Sequence, residues 1–368
     1  MASKKYIVKE DLHIRRFCRL LDQGIIGVLY PGFILDAVGE EFGDTFRDSN
    51  VWLKDINGFY YWKGATVKMG EDKLDEKKQD ILPVWMKNLL IPEIWKFSKG
   101  KGVGVAVIDT GINLDNDDLK YVSGWSLVDH SENVVDNAGH GSHCSGLIGA
   151  RNQSKNIIGI APECDLYICK ISDTVYLNSP EYKRYAEAIR WCAKQKKISI
   201  ISISWSQLFL DENMIKDLQG AIDEAVNNNK VIVCSNGNNF IPGDKSLVYP
   251  AASKNTIGVG VIPIASKVNP YFNTHLDICT YGRDISSFTY LGNSVEAMSG
   301  SSQATAIVSG ILALAIDLLN PADIPTFAEN FIKRTSKQEV FAETENSTVL
   351  LNILDETKLL HALNINFQ

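Results

Sequence analysis

Five short runs of mainly apolar residues form the framework of the middle and C-terminal parts of this chain. They comprise residues 103–108, 165–171, 198–203, 231–234 and 256–261. Two stretches with helical patterning, residues 179–194 and 214–228, lie between them. Apolar strands that alternate with helices predict an α/β fold with a mostly parallel sheet covered by helices on both faces. In such a sheet the functional residues follow the carboxyl ends of the strands.

Two polar residues, Asp109 and Asn238, lie just beyond predicted strands. Asp109 directly follows the first strand, and Asn238 follows the fourth strand in an Asn-Gly-Asn sequence. Each has an ordinary explanation, since Asp before Thr-Gly and an Asn-Gly-Asn run are both typical of turns. The functional alternative is that Asp109 works at the strand end and that the Asn238 amide donates to a developing oxyanion.

A run of small residues, 299–306, precedes an apolar stretch, 307–315, that predicts a helix buried on most sides. A serine at the start of such a helix is a preferred N-cap, because its oxygen accepts from a free backbone N–H. The alternative is a nucleophile, because a helix N-terminus places free N–H groups and a positive dipole end beside the reacting oxygen. A nucleophile also requires a base, an orienting acid and a second oxyanion donor.

The candidate base is His140, which lies in a segment rich in small residues, 136–146. Small neighbours allow other chain segments to approach the imidazole closely. His143 follows three residues later, so a metal site that uses both histidines is an alternative. No third ligand is spaced to complete such a site.

Composition narrows the class of protein. The 368 residues carry a net charge of -7, with 45% hydrophobic and 22% charged residues. These values indicate a soluble globular protein and argue against nucleic acid or an anionic membrane surface as a partner. We expect no apolar run long enough to span a bilayer, and the first residues lack the apolar core of a signal peptide. The seven cysteines, an odd number without zinc spacing, predict reduced thiols in a cytoplasmic protein.

The N-terminal part of the chain differs in texture from the rest. A helix is predicted over residues 10–21, and the charged stretch 69–80 is typical of a solvated linker. Short strands are predicted over residues 25–30, 51–53 and 58–62. We therefore expect a small N-terminal α+β domain over residues 1–80 and a larger domain over residues 81–368.

Four motifs, in order along the chain, resemble those of the subtilisin-like serine protease family (subtilases, peptidase S8). They are Val-Ile-Asp-Thr-Gly-Ile at 107–112, His-Gly-Ser-His-Cys-Ser-Gly at 140–146, Asn-Gly-Asn at 236–238 and Gly-Ser-Ser-Gln-Ala at 300–304. The resemblance implies a subtilisin-like three-layer fold with a mostly parallel central sheet flanked by helices. The chain order Asp, His, Ser is also that of subtilisin among unrelated triads. The proline and histidine that usually follow the serine motif are absent here.

The resemblance also implies a role for each motif residue. Ser302 would be the nucleophile, and His140 would take its proton and later give it to the leaving amine. Asp109 would hold the His140 tautomer, and Asn238 would donate to the oxyanion beside the Ser302 backbone N–H. His143 would be structural.

The same resemblance places two segments at the walls of the first specificity pocket. The residues concerned are Ser204, Trp205 and Ser206 on one wall and Ser235, Asn236 and Gly237 on the other. Trp205 and Ser206 stand where the family has Leu and Gly, which makes that wall bulkier. Neither wall carries a charged side chain, so cleavage at charged residues is not predicted.

Calcium is the one cofactor that the resemblance suggests. Asp118 aligns with an aspartate ligand of the family's calcium site, and Gln153 lies in a loop of matching length. Gln79 is a further candidate, although its spacing is off by about two residues. Oxygen ligands suit Ca²⁺, but a surface loop without an ion is the preferred interpretation. No cofactor is expected to be required.

These features predict an intracellular serine endopeptidase that acts on a peptide or protein substrate, with the altered pocket wall favouring a narrow-specificity processing protease. Residues 1–80 have the length of a subtilase propeptide and are a candidate propeptide-like or regulatory domain that binds or blocks the active-site cleft. The alternative is a catalytically silent or self-inhibited subtilase fold that serves as a peptide-binding module. A metal-dependent hydrolase that uses His140 and His143 is the third hypothesis.

Overall fold

The computed structural model describes most of the chain. The described residues are 4–8, 12–15, 25–29, 34–47, 49–55, 60–68, 82–153, 157–174, 183–207, 211–238, 247–262, 276–344 and 347–365. The chain divides into two compact units, Met1–Pro83 and Val84–Gln368. The predicted linker at 69–80, and with it the predicted boundary at residue 80, lies outside the described residues.

The described part of the first unit is a seven-stranded antiparallel sheet. Its strands are β1 Lys4–Val8, β2 Leu12–Arg15, β3 Ile25–Leu29, β4 Ile34–Phe46, β5 Ser49–Asp55, β6 Tyr60–Trp62 and β7 Thr66–Lys68. They pair in the order β3-β2-β6-β5-β4-β1-β7. Buried aromatic side chains, among them Tyr6, Trp52, Tyr61 and Trp62, fill its core.

The predicted helix over residues 10–21 is wrong where it can be compared, because Leu12–Arg15 is strand β2. This strand pairs with β3 on one side and with β6 on the other. Neighbouring strands thus satisfy the backbone groups that a helix would satisfy internally, and tertiary context overrides the local pattern. The rest of the predicted helix lies outside the described residues. Over its described residues this unit is therefore all-β rather than α+β, apart from a 3-10 turn at Lys63–Ala65.

The three strands predicted in this unit are confirmed in their described residues as β3, β5 and β6.

The second unit contains eight helices and eleven strands among its described residues. The helices are α1 Val84–Asn88, α2 Ile91–Ile94, α3 His140–Gly149, α4 Arg184–Lys194, α5 Glu212–Asn227, α6 Ser301–Leu319, α7 Ile324–Thr335 and α8 Glu356–Ala362. The strands are β8 Gly104–Asp109, β9 Tyr121–Ser126, β10 Asp165–Lys170, β11 Ile198–Ile203, β12 Val231–Ser235, β13 Ile257–Val261, β14 Ile278–Thr280, β15 Ile285–Phe288, β16 Val295–Met298, β17 Ser336–Thr344 and β18 Ser347–Leu354.

A nine-stranded sheet with the order β17-β18-β14-β13-β12-β11-β8-β10-β9 forms the centre of this unit. Its neighbouring strands are parallel except for β17 and β18. The five predicted strands are confirmed as β8, β10, β11, β12 and β13, and the two predicted helices as α4 and α5. Helix α5 begins two residues earlier than predicted, because the Asp211 side chain caps it by accepting from Met214 N at 2.9 Å.

Alternate side chains of β11 face different helix layers. On one face, Ile201 and Ile203 pack in a hydrophobic cluster with residues of α4 and α5. On the other face, the Ser202 hydroxyl accepts a hydrogen bond of 2.9 Å from Ser309 of α6, and α3 packs beside α6. A sheet between two helix layers confirms the predicted three-layer fold.

Helix α6 runs through the interior of the second unit, and residues 301–316 are all buried. By length and composition alone this helix could cross a membrane, contrary to the expectation that no apolar run is long enough. However, 83% of its most apolar window is buried inside the unit. A core helix has the same features, since it is apolar on all sides.

The packing of α6 leads to a prediction about stability. Leu312 is fully buried, so Leu312→Ala should lower the free energy of unfolding by about 2–5 kcal/mol through lost burial and a residual cavity. Leu291, which is 58% exposed, provides the matched control, and Leu291→Ala should change stability by less than about 0.5 kcal/mol. Urea denaturation measures both values. Equal losses for the two variants would contradict the core assignment.

Candidate active site

Asp109 and His140 form a buried pair at the carboxyl end of β8. Asp109 is the last residue of that strand, and His140 is the first residue of α3. The His140 Nδ1 atom lies 2.8 Å and 3.0 Å from the two Asp109 carboxylate oxygens. An ionised carboxylate only accepts hydrogen bonds, so Nδ1 carries the proton and the neutral ring keeps Nε2 as an acceptor.

The electrostatic balance at His140 favours the protonated ring. Burial by itself would lower the pKa of His140, but the charge of Asp109 and the hydrogen bond that the ring donates to that carboxylate outweigh it, and the pKa is raised. A base with this raised pKa is stabilised as an imidazolium once it has accepted a proton.

A glycine contact sets how closely α3 approaches the end of β8. A Cβ atom at Gly141 would lie 2.2 Å from the Gly111 carbonyl oxygen. A side chain at position 141 would therefore push the first turn of α3, and His140 with it, away from Asp109.

Ser302 lies in the first turn of α6, with its side chain beside the chain segment that follows β11. Its hydroxyl donates to the Ser204 carbonyl oxygen at 2.8 Å, and the Ser204 hydroxyl donates to the Ser302 carbonyl oxygen at 3.1 Å. Among the described residues, the Ser302 hydroxyl makes no hydrogen bond to His140. Trp205 links the two groups, since its ring contacts the His140 ring edge to face at 6.2 Å between centroids.

Asn238 is held against the start of α6 by its amide oxygen. Oδ1 accepts from the backbone N–H of Ser301 and from the Ser301 hydroxyl, both at 2.9 Å. Its Nδ2 atom, with no acceptor among the described residues, remains available as a donor. The backbone N–H groups of the first helical turn are also unpaired within the helix. Asn238 thus lies beside the first turn of α6, which carries Ser302.

Residues predicted for the two pocket walls lie beside Ser302 and Asn238. Ser204 and Trp205 are buried, and Trp205 Nε1 has no hydrogen-bond partner among the described residues. On the opposite wall, the Ser235 and Ser301 hydroxyls lie 2.6 Å apart. Asn236 is fully buried, and its backbone N–H donates to the Val259 carbonyl at 2.9 Å. Ser206 and Gly237 lie close together, because a Cβ atom built on Gly237 would be 3.6 Å from Ser206 Oγ.

His143 does not join His140 in a metal site. Its Nε2 atom contacts the Ile285 and Glu296 carbonyl oxygens at 3.0 Å and 3.2 Å, and Gln303 lies 3.4 Å from Nδ1. Burial, with a smaller effect from His140, lowers the pKa of His143 to about 3. A neutral, buried ring bonded to backbone fits the structural role that the family resemblance implies.

A different set of three groups capable of binding a metal converges at the site. Over the described part of the chain, one such cluster occurs, formed by Asp109, His140 and Cys144. Burial raises the pKa of the Cys144 thiol well above its usual range, which favours a neutral thiol beside the Asp109–His140 pair.

The Asp136 carboxylate, which sequence analysis did not single out, joins the segments that carry Asp109 and His140. It accepts five hydrogen bonds of 2.6–2.9 Å, from Thr110 Oγ1, the backbone N–H groups of Ala138, Gly139 and Ser142, and Ser142 Oγ. Burial raises the pKa of Asp136, but these bonds outweigh burial and lower it. An Asp four residues before His140, at a helix start, was the available signal.

The calcium candidates lie close together without forming a recognisable ligand set. The buried Asp118 carboxylate accepts from the Gln153 backbone N–H, and its backbone carbonyl accepts from Arg151 N at 3.1 Å. The Gln153 side chain is exposed, and Gln79 lies outside the described residues. A calcium ion at Asp118 and Gln153 therefore stays a prediction.

The Asp136 network leads to a prediction about acid stability. Asp136→Asn replaces an accepting oxygen with an NH₂ group, so buried donors lose their partner and unfolding should become easier by about 1.5–3 kcal/mol near neutral pH. Because the native pKa lies below the unfolded value, the contribution of Asp136 exists above the unfolded pKa and is lost as the pH falls through the native pKa. The gap between wild type and variant should therefore shrink below about pH 4.

Urea denaturation at a series of pH values measures this gap. Asp117→Asn is the matched control, because the Asp117 side chain is 88% exposed and its loss should change stability by less than about 0.5 kcal/mol. An effect of Asp136→Asn no larger than that of the control would contradict the proposed network.

Comparisons with known proteins point to the same family as the four sequence motifs. A sequence profile of the subtilase family (Peptidase_S8) matches residues 100–352. The chain is 32% identical to the major intracellular serine protease of Bacillus subtilis (strain 168), over 74% of this chain and 84% of that protein. It is 31% identical to an intracellular serine protease of Paenibacillus polymyxa, over 71% of this chain and 82% of that protein.

Solved structures share the fold. A cold adapted subtilisin-like serine proteinase matches with a TM-score of 0.57 and 23% identity, over 70% of this chain and 90% of that one. MycP1 without its N-terminal propeptide matches with a TM-score of 0.60 and 23% identity, over 75% of this chain and 96% of that one. With the family profile and the related sequences, these observations establish that the chain belongs to the subtilase family and is a serine endopeptidase of the subtilisin type.

Proposed function

We propose that Asp109, His140 and Ser302 form the catalytic triad of this subtilase and that Asn238 is an oxyanion donor. The observation that carries the proposal is the buried Asp109–His140 pair, which presents Nε2 at the sheet edge to which α6 brings Ser302. Contacts of the neighbouring residues Ser204 and Trp205 support it, because one bonds Ser302 and the other touches His140.

The mechanism begins with a rotation of the nucleophile. The Ser302 hydroxyl exchanges the Ser204 carbonyl for His140 Nε2, and such bonds often tighten only when substrate is present. His140 then takes the proton as Ser302 Oγ attacks the peptide carbonyl. Asn238 Nδ2 and the Ser302 N–H donate to the oxyanion. His140 passes its proton to the leaving amine, and water releases the acyl group by the same steps.

The resting position of Ser302 also favours a second candidate function. A hydroxyl bonded to the Ser204 carbonyl, rather than to a base, is the arrangement of a self-inhibited or silent site. In that case the fold would serve as a peptide-binding module. Labelling of the serine separates the two candidates.

The setting of the enzyme is part of the proposal. We propose that it acts inside the cell, which the names of its two bacterial relatives support. Six of its seven cysteines lie in the described part, all buried and unpaired there, as expected of reduced thiols. No step of the mechanism uses a cofactor, and a calcium ion at Asp118 and Gln153 would only be structural.

We also propose that residues 1–80 are retained as a regulatory domain that binds or blocks the cleft. The first unit has its own aromatic core, and on its surface the Phe42 and Phe46 rings are 81% and 40% exposed. Exposed aromatic side chains of this kind favour contact with a protein partner. Narrow specificity for a single partner belongs to the same proposal.

The first test is covalent labelling of the full chain by a fluorophosphonate probe, read by intact mass. The wild type should gain one adduct, and Ser302→Ala should gain none. Ser299→Ala is the matched control: Ser299 is an exposed neighbour whose hydroxyl faces Asp284, and this variant should label like the wild type. No adduct on intact wild type would favour the silent or self-inhibited candidate. A labelled chain that begins near residue 80 would contradict the retained domain.

The second test is the pH profile of kcat/KM on a chromogenic peptide. The neutral form of His140 is the active base, and neutral His140 accumulates as the pH rises through its pKa. Since that pKa is raised, the acid limb should have its midpoint above 6.5. Asp109→Asn should lower the midpoint and reduce turnover by up to about 10⁴. The exposed control Asp117→Asn should leave both unchanged, and a wild-type midpoint below 6.5 would contradict the proposed pair.

A further inference from the structure

The geometry of the candidate site determines where a substrate side chain has to go. In the residue that contributes the scissile carbonyl, the side chain is attached one atom away from the reacting carbon. That side chain must therefore enter beside Ser302 and Asn238. Two described segments flank this position. Residues 204–206 are bonded to Ser302 through the Ser204 carbonyl, and residues 235–237 lead directly into Asn238.

The space between these segments is narrow at Gly237. A Cβ atom built on this residue would lie 3.6 Å from Ser206 Oγ and 3.6 Å and 3.7 Å from the two methyl groups of Val248. Gly237 also has φ +86°, in the left-handed region that favours glycine. The position that a Cβ atom would take on Gly237 thus points toward the Ser206 hydroxyl and the Val248 side chain.

The distances show how little room remains. A Cα–Cβ bond is about 1.5 Å long, so Gly237 Cα lies at most about 5.2 Å from Ser206 Oγ and from either Val248 methyl group. A methylene group keeps about 3.5–4.0 Å from heavy atoms on each side, which requires a gap of about 7 Å. No methylene group can pass between Gly237 and these two side chains.

Backbone hydrogen bonds hold the segments that carry Ser206 and Val248 beside each other. Gln207 and Tyr249, the residues next to Ser206 and Val248, form an antiparallel bridge with two backbone hydrogen bonds of 2.8 Å each. This bridge holds Ser206 and Val248 beside each other, so moving one of them away from the other would break both bonds. Val248 is itself buried, so its side chain has no solvent space into which it can swing.

The opposite wall is tied to the nucleophile helix. Ser235 and Ser301 share a short hydroxyl–hydroxyl hydrogen bond, and Ser301 also holds Asn238. A shift of Gly237 away from Ser206 would therefore disturb Asn238, the proposed oxyanion donor. Widening the gap between Gly237 and Ser206 in this way would therefore displace Asn238.

We infer that Ser206 and Val248 close the first specificity pocket, so that the enzyme cleaves after residues with small uncharged side chains such as glycine, alanine and serine. This inference rests on the proposed function, because it uses Ser302 and Asn238 as the reacting centre. A bulky aromatic or aliphatic side chain would have to displace the Val248 isopropyl group or break the Gln207–Tyr249 bridge.

The test uses the full chain and a set of peptide p-nitroanilides that differ only in the residue before the scissile bond. Fluorophosphonate titration first counts the competent serines, which keeps failure of the active site separate from failure of the inference. For wild type, kcat/KM with alanine should exceed that with phenylalanine by about tenfold or more, the discrimination expected when added carbon atoms do not fit.

Two variants open the pocket independently. Ser206→Gly and Val248→Gly should each raise the phenylalanine-to-alanine ratio, and the double variant should raise it by about tenfold or more. Val122→Gly is the matched control, because Val122 lies on β9 and is 52% exposed, and the wild-type ratio should be unchanged.

The outcomes distinguish failure of the inference from failure of the proposed function. A wild type that labels with the probe and prefers alanine, with the preference relaxed in the variants, supports the inference. A wild type that labels but cleaves after phenylalanine or leucine faster than after alanine overturns the inference and leaves the proposed triad intact. A wild type that neither labels nor cleaves any peptide, even after limited proteolysis has removed residues 1–80, overturns the proposed function and the inference together.

Discussion

Parallel pairing of β8, β11 and β12 is the constraint on which the candidate site depends. Parallel strands end at the same edge of a sheet, so residues far apart in sequence meet there. The edge brings together Asp109 from the end of β8, Ser204 from beyond β11 and Ser235 from the end of β12. Helix α6 packs beneath these strands and adds Ser302 from its N-terminus.

Buried carboxylates then limit how this edge can be arranged. Asp109 and Asp136 are both almost fully buried, and a buried charge is tolerated only when hydrogen bonds surround it. Asp136 meets this requirement with donors from both the β8 turn and the start of α3, so these two segments are held together. The orientation of His140 is thereby set before a substrate arrives, as its proposed role as a base requires.

The same rigidity acts on the opposite side of the cleft. Ser301 holds Asn238 by two hydrogen bonds and also contacts Ser235, so one residue ties the proposed oxyanion donor to a predicted pocket wall. Activation and selectivity are coupled in this arrangement. A change that enlarges the space at Gly237 also moves Asn238, the proposed oxyanion donor, whereas removal of side chains at Ser206 or Val248 does not require such a movement.

The sequence by itself determined the α/β fold of the larger unit, five strands of its nine-stranded sheet and the candidates Asp109, His140, Asn238 and Ser302. Continuous apolar runs and ordered motifs are local signals, so they can be recognised without knowing which chain segments pack together. Strand β2 was mistaken for a helix because its backbone partners lie elsewhere in the chain.

Only the tertiary structure decided the hydrogen bonds of Asp136, the bond from Ser302 to the Ser204 carbonyl, and the proximity of Ser206 and Val248 to Gly237. Each of these depends on distances between segments that are remote in sequence. A pattern of residue types along the chain contains no information about such distances, because packing across the sheet edge sets them.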